Sequence, residues 1–430
     1  MKRIAALRPH ESATFCTTDD GIRTPTMRPM EHSASFTRSA GTPLLAAVAL
    51  AVMFVGATLP TPLYPLYRQQ FGFGEVTLTL VYSIYVLGNL CALFFFARLS
   101  DQVGRKFTAW PAAVIGAAST VAFALASGTA WLFVARALSG FATGLASGTL
   151  TAWIAELQPD GRSREGAVTA TVANFLGLAV GPIVGSLPAQ FSVQPLRLPF
   201  AVYLAMLLVM GITLSHVPET VKKPIRRFRD LSLRPRFGVP KEQLAAFLSP
   251  AVTAFVTFAL IGFYAALIPN LLADALKDSR PLVAGAVLFL LFVVASGAVL
   301  ATRALASRTA MLASLALFPP AVALLILAEH THRLPLLLAA SALAGIAASL
   351  GYRGSLAVVN RIAPEERRGE VVSTYLIVMF CGNSLPVIGI GLLSARTHPF
   401  FAHATFAGLI AILAAIGLLV GWKYAPRDRI

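Results

Sequence analysis

Two stretches of this 430-residue chain place ionisable groups where chemistry is conceivable. Arg136 stands in "WLFVARALSGFATG" (131–144), and no other residue from Ala130 to Ile154 carries a charge. A cation in hydrocarbon costs at least ~2.5 kcal/mol, so such a group should face the protein interior or a wet cavity. The alternative is snorkelling from the end of a helix to the headgroups. The second stretch, "ARLSDQVGRK" (97–106), sets one acid, Asp101, beside Gly104, Arg105 and Lys106. An acid and two bases in a tight turn can pair, cap a helix end and meet an anionic surface. No Walker loop, zinc spacing or GxSxG elbow occurs in the sequence. The chain reads as a non-enzyme with no cofactor and no metal.

The elements holding these residues follow from composition. Hydrophobic residues make up 57% of the chain and charged residues 13%, where a soluble protein carries about 25% charged. Apolar runs of about 20 residues recur throughout, the length of a membrane-crossing helix. Twelve spans are predicted, at 43–67, 76–97, 107–127, 130–154, 166–187, 196–215, 244–268, 281–302, 310–328, 334–358, 371–393 and 400–422. With the N-terminus inside, 28 Lys and Arg fall on the inner side and 6 on the outer, Arg136 being left in the membrane. That positive-inside bias accounts for the net charge of +16 without nucleic acid. Both termini are expected in the cytoplasm and the protein in a bacterial inner membrane. Trp110, Trp131, Trp153 and Trp422 fall at span ends, as interfacial anchors do. Cys91 and Cys381 lie in apolar segments and read as small buried side chains.

Residues 1–41 read as a disordered cytoplasmic extension. Residues 42–215 form a first six-helix bundle, the basic segment 216–243 a cytoplasmic linker, 244–424 a second bundle and 425–430 a tail. The halves look related: "RALSGFATGL" (136–145) aligns with "SALAGIAASL" (341–350) at an offset of 205. Internal symmetry of this kind suits alternating access, in which one repeat rocks against another about a central site. Gly140, Gly144 and Gly148 form a small-residue stripe below Arg136 for close helix approach. Gly177, Gly181 and Gly185 line one face of span 5, and Pro182 bends it. The repeat equivalent of Gly148 is Arg353, which either enters the cavity from below or sits at the interface.

These segments resemble the major facilitator superfamily. The 97–106 turn matches the family's motif between helices 2 and 3 at Leu99, Asp101, Gly104, Arg105 and Lys106, with Ala97 and Gln102 as departures. "LFVARALSG" resembles the helix 4 motif of proton-coupled members, Ser139 standing where the family has glutamine. "GLAVGPIVGS" (177–186) resembles the helix 5 motif of antiporters, with Ser186 replacing the last glycine. Gly56, Pro62, Leu63 and Pro65 resemble the span 1 pattern of the twelve-helix drug:proton antiporters. The resemblance implies an all-α fold of two pseudo-symmetric six-helix bundles around one cavity. It implies that the 97–106 turn latches the two halves, and that Arg136 and Gly140 serve proton transfer or charge balance.

The expected function is proton-coupled efflux of small organic molecules or drugs, by a monomer whose partners are substrate, protons and lipid. The candidate cavity contacts are Tyr64, Tyr82, Tyr85, Asn89, Asn174, Tyr264, Arg353, Tyr375 and Asn383. Span 1 lacks the embedded acid of many proton-coupled relatives, and Glu75, Asp101 and Glu156 all lie near span ends. Backbone carbonyls, Asn174, water or an anionic substrate are therefore the candidate partners of Arg136. Import of an organic acid or sugar is the rival reading, against which the span 5 motif stands. A receptor or sensor would carry a sizeable output domain, and the sequence shows none.

Overall fold

The computed structural model describes residues 41–96, 99–158, 163–221 and 237–426. The proposed extension up to residue 40, linker residues 222–236, tail residues 427–430 and Ala97, Arg98, Pro159 and Arg162 lie outside the described residues.

Twelve helices are long and apolar enough to cross a membrane: α1 (Thr42–Phe71), α2 (Glu75–Phe96), α3 (Arg105–Ala124), α4 (Thr129–Leu157), α5 (Glu165–Phe191), α6 (Leu198–His216), α7 (Lys241–Asp274), α8 (Pro281–Ala301), α9 (Ser307–Thr331), α10 (Leu334–Ile362), α11 (Glu365–Ser394) and α12 (Pro399–Tyr424). Among the described residues there is no strand. In hydrocarbon every backbone N–H and C=O needs a partner within the segment, and an α-helix supplies one. Proline sits in the first turn of α6, α8, α10 and α12, where its missing N–H has no helical acceptor to lose.

Several helices overrun their expected limits. α7 extends to Asp274 and α9 to Thr331, which brings Glu329 into the buried part of α9. Trp153 is fully buried, contrary to its expected anchoring role, because its indole N–H donates to the Pro218 carbonyl at 3.0 Å. Cys91 is exposed on α2 rather than buried.

The helices pack as a framework used twice. α1 lies on α5, and α4 on both α2 and α3; six helices later α7 lies on α11, and α10 on α8 and α9. The halves meet where α5 packs on α8 and α2 on α11, two contacts exchanged by the same six-helix shift. Glycines allow the close approaches. A Cβ on Gly140 of α4 would run into the Tyr85 carbonyl carbon of α2 at 2.8 Å. Its repeat equivalent, Gly345 of α10, would meet the Ala295 nitrogen of α8 at 3.2 Å. Gly144 continues this face against Asn89, but Gly148 turns to open space and does not belong to the stripe.

The α1–α5 seam shows how proline and glycine cooperate. Pro182 has no N–H, so the Leu178 carbonyl four residues earlier loses its helical donor. Thr58 Oγ1 of α1 donates to that carbonyl at 3.0 Å. The bond requires α1 and α5 to touch, and Gly177, Gly181 and Gly185 permit it: added Cβ atoms would meet Phe54 Cβ at 2.8 Å, the Val55 carbonyl at 2.5 Å and Pro62 Cγ at 3.2 Å. On the other side of the same turn, Gly285 of α8 faces Ser186 and the Pro182 carbonyl at 2.9 Å. The seam thus lies directly against the second half.

Overpacking a close seam costs about 1–3 kcal/mol. Gly181→Leu should therefore lower the melting temperature of the purified protein, while Gly148→Leu, aimed into open space, should leave it almost unchanged. Thermal unfolding in one detergent measures both, and equal melting temperatures would contradict the seam's role.

Candidate functional site

Arg136 is completely buried, which removes the snorkelling alternative. Its Nε donates to the Tyr64 hydroxyl at 2.7 Å, Nη2 donates to the same oxygen, and Nη1 donates to the Ala57 carbonyl at 2.8 Å. The acceptors exist because α1 is broken. Its first stretch ends at Thr58, a short 3-10 turn follows at Thr61–Leu63, and the helix resumes at Tyr64. Pro60 cannot donate to the Gly56 carbonyl, which Ser139 Oγ reaches at 3.4 Å from α4. The neighbouring Ala57 carbonyl, in the same turn, receives the guanidinium.

Three tyrosine rings enclose this cation. The guanidinium carbon lies 5.4 Å from the Tyr64 ring centroid, 5.7 Å from Tyr82 and 5.4 Å from Tyr85. Each such contact contributes up to about 2 kcal/mol where water is excluded. Together with three charge-assisted hydrogen bonds they offset the burial of the charge without a carboxylate. The cage also reaches the second half: Tyr82 donates its hydroxyl hydrogen to Asn383 Oδ1 of α11 at 3.0 Å. Asn89 Nδ2 donates to the Tyr85 hydroxyl at 3.5 Å at the edge of the group.

The candidate contacts fall into separate groups. Tyr64, Tyr82, Tyr85, Asn89 and Asn383 gather around Arg136 or its Tyr82 extension. Asn174 is half-buried on α5 and is not among the hydrogen-bond partners of Arg136. Tyr264 and Tyr375 are enclosed in the second bundle, where they engage Ser341 at 3.3 Å and Ser355 at 2.8 Å. Arg353 reaches the end of α8. Its guanidinium donates to the Arg303 carbonyl at 3.5 Å and to Thr302 Oγ1 at 3.4 Å, binding the C-terminal end of α8 where helix carbonyls attract a cation.

At the end of the bundle that carries the linker, the 97–106 turn is tied down within the first half. Gly104 adopts φ +117°, a conformation open to glycine, and α3 begins at the next residue. Glu219, just beyond α6, accepts the backbone N–H groups of Arg105 and Lys106 at 2.9 Å each, capping the positive end of α3. A Cβ on Gly104 would lie 2.8 Å from that carboxylate. Arg105 forms a two-pronged bond to Glu156 of α4 at 2.6 and 3.2 Å, pairs with Asp101 and donates to Ser100 Oγ at 2.7 Å. Lys106 Nζ donates to the Ser215 carbonyl of α6 at 2.6 Å, and Thr220 bonds Glu156. The described partners of Arg105 and Lys106 all belong to the first six helices and the segment after them. Through these bonds the turn ties α3 to α4 and α6. Glu219 is hidden from a sequence reading because it stands among linker residues; its signal is a lone acid shortly before the basic run 222–229.

The Major Facilitator Superfamily profile matches residues 46–310. The chain belongs to that superfamily, and is a multi-pass membrane protein. Among curated proteins, it is 26% identical over 220 residues to the quinolone resistance protein NorA of Staphylococcus aureus, covering 49% of this chain and 54% of NorA. The match thus spans about half the length of these relatives. The sugar transporter ESL1 of Arabidopsis thaliana is 38% identical over 77 residues, 18% of this chain and 16% of that protein. Among solved structures, a D-xylose–proton symporter superposes with a TM-score of 0.71 at 16% identity, over 89% of this chain and 97% of the symporter. A bacterial homologue of the human lysosomal transporter Spinster, in an inward-facing and unoccupied conformation, superposes with a TM-score of 0.68 at 15% identity, over 91% and 98% of the two chains. These structural likenesses concern the fold.

The cage makes opposed demands on substitutes for Arg136. Lysine keeps the charge but cannot bond Tyr64 and Ala57 together as the planar fork does; glutamine loses the charge. If charge governs the cycle, Arg136→Lys should retain more transport than Arg136→Gln, and if the fork governs it both should lose at least about tenfold. Transport by correctly inserted variants checks this, and wild-type rates in both would contradict any role for the cage.

Proposed function

We propose that this transporter exports small organic molecules, among them quinolone-like aromatics, by alternating access coupled to proton entry. The observation that carries the reading is the Arg136 cage: a fixed charge sealed inside the first half and bonded through Tyr82 to Asn383 of the second. A charge at such a contact gives the two halves a reason to exchange partners when a proton or substrate binds. The partial likeness to NorA and the glycine–proline face of α5 support export. The basic linker and the excess of Lys and Arg on its side of the membrane support an orientation with both termini in the cytoplasm of a bacterial cell. We take the working unit to be a monomer, since both halves of the framework lie in one chain.

Sugar or organic-acid import is the competing reading, favoured by the short match to ESL1. Everted membrane vesicles separate the two. Export predicts that a fluorescent fluoroquinolone accumulates in everted vesicles when their lumen is acid, and that a protonophore abolishes the accumulation. Accumulation of a labelled sugar in right-side-out vesicles, with no movement of the fluoroquinolone in either, would overturn the proposal.

A further inference from the structure

The buried titratable groups of the second half have no part in the Arg136 cage. Glu329, on the last turn of α9, and His403, on the second turn of α12, are both buried, 5% and 6% exposed. His403 Nδ1 faces both carboxylate oxygens of Glu329, at 2.9 and 3.0 Å. The Phe263 ring of α7 meets the imidazole edge to face at 5.2 Å and holds it in place. A buried carboxylate normally needs a cation or several donors; here its ion-pair partner is an imidazole, whose charge depends on pH.

The pair is enclosed by protein but not cut off from solvent. Both side chains line a cavity of about 450 Å³ at the end of the molecule away from the linker, between α2, α7, α9 and α12. Asn270 lines the same cavity, and its side-chain N–H₂ is buried with no protein acceptor. The other ionisable groups facing the space are Glu75 of α2, Asp274 and Lys277 at the end of α7, His330 and His332 at the end of α9, and His398 before α12. Arg68 of α1 lies 3.9 Å from Asp274 and joins the two halves at this same end.

We infer that Glu329 and His403 form a proton-binding site that exchanges protons with this cavity. Nδ1 keeps its hydrogen for the carboxylate in both states. The proton that comes and goes is therefore the one on Nε2: imidazolium beside carboxylate becomes neutral imidazole beside carboxylate, with the proton released to cavity water. The net charge of the pair changes from zero to minus one in a low-dielectric wall, and that change can bias how α9 and α12 pack. Binding of the proton stands on the geometry alone; its use in driving export rests on the proton-coupled reading above. Sequence reasoning missed the site because the expected ninth span ended at 328, leaving Glu329 in a loop.

The test uses the full chain in lipid nanodiscs with ¹⁵N-labelled histidine. The imidazole signal lost in His403→Gln identifies the residue among its neighbours, including His330, His332 and His398. In the wild type that signal should respond reversibly to the pH of the buffer, and the response should differ in Glu329→Gln, or in Glu329→Asp should the amide fail to fold. A signal that does not respond to pH, or that ignores the carboxylate substitution, overturns the site. Coupling is read separately in proteoliposomes with a fluoroquinolone probe. His403→Gln should bind the probe normally yet lose at least about tenfold of probe-driven proton flux. Undiminished flux in that variant overturns the coupling role. Absence of flux in the wild type alongside a titrating signal refutes proton-coupled export and leaves the binding site standing.

Discussion

A guanidinium sealed from water without a carboxylate is the constraint that orders the first half of this protein. Arg136 needs acceptors, and α1 supplies them by breaking at Pro60 and Pro62 so that a carbonyl and the Tyr64 hydroxyl face inward. It needs aromatic faces, and α2 supplies Tyr82 and Tyr85 one turn apart. Those rings reach it only because Gly140 lets α2 press against α4. The broken α1 in turn must be held, and the glycine face of α5 with the Thr58–Leu178 bond holds it. The break in α1 and the close seams beside it thus answer to one buried charge.

The second half repeats the framework and omits the charge. The position equivalent to Arg136 is Ser341, which bonds Tyr264 of α7 much as Arg136 bonds Tyr64 of α1. The helix 8–9 turn, "ATRALASRTA" (301–310), has no acid to match Asp101, and there Arg353 binds the end of α8. What the second half adds is the Glu329–His403 pair at the opposite end. Shared packing thus carries unshared chemistry in the two bundles.

The span pattern and the halves were legible because hydrophobic length and a 205-residue offset are one-dimensional signals. The close seams were legible too, since glycine every fourth residue means one helix face. The partners were not. Nothing in spacing shows that Glu219 returns from beyond α6 to cap α3, or that Tyr64, Tyr82 and Tyr85 converge from two helices on Arg136. Tyr264 and Tyr375 looked like cavity residues because an aromatic hydroxyl in a span signals polarity, yet a single serine satisfies each inside its own bundle. For Arg353, symmetry with Gly148 leaves both the cavity and the interface open, because symmetry of backbone does not fix the reach of a long side chain.

The central claim is that the buried charge of the first half is felt by the second through Tyr82 and Asn383. A double-mutant cycle on transport rate, with Arg136→Lys and Asn383→Ala singly and together, tests it most directly. Residues in one network couple by about 0.5–3 kcal/mol, whereas independent sites add within about 0.5 kcal/mol. The account predicts coupling of at least about 1 kcal/mol between the two positions. Strict additivity, with each variant correctly inserted, would contradict it.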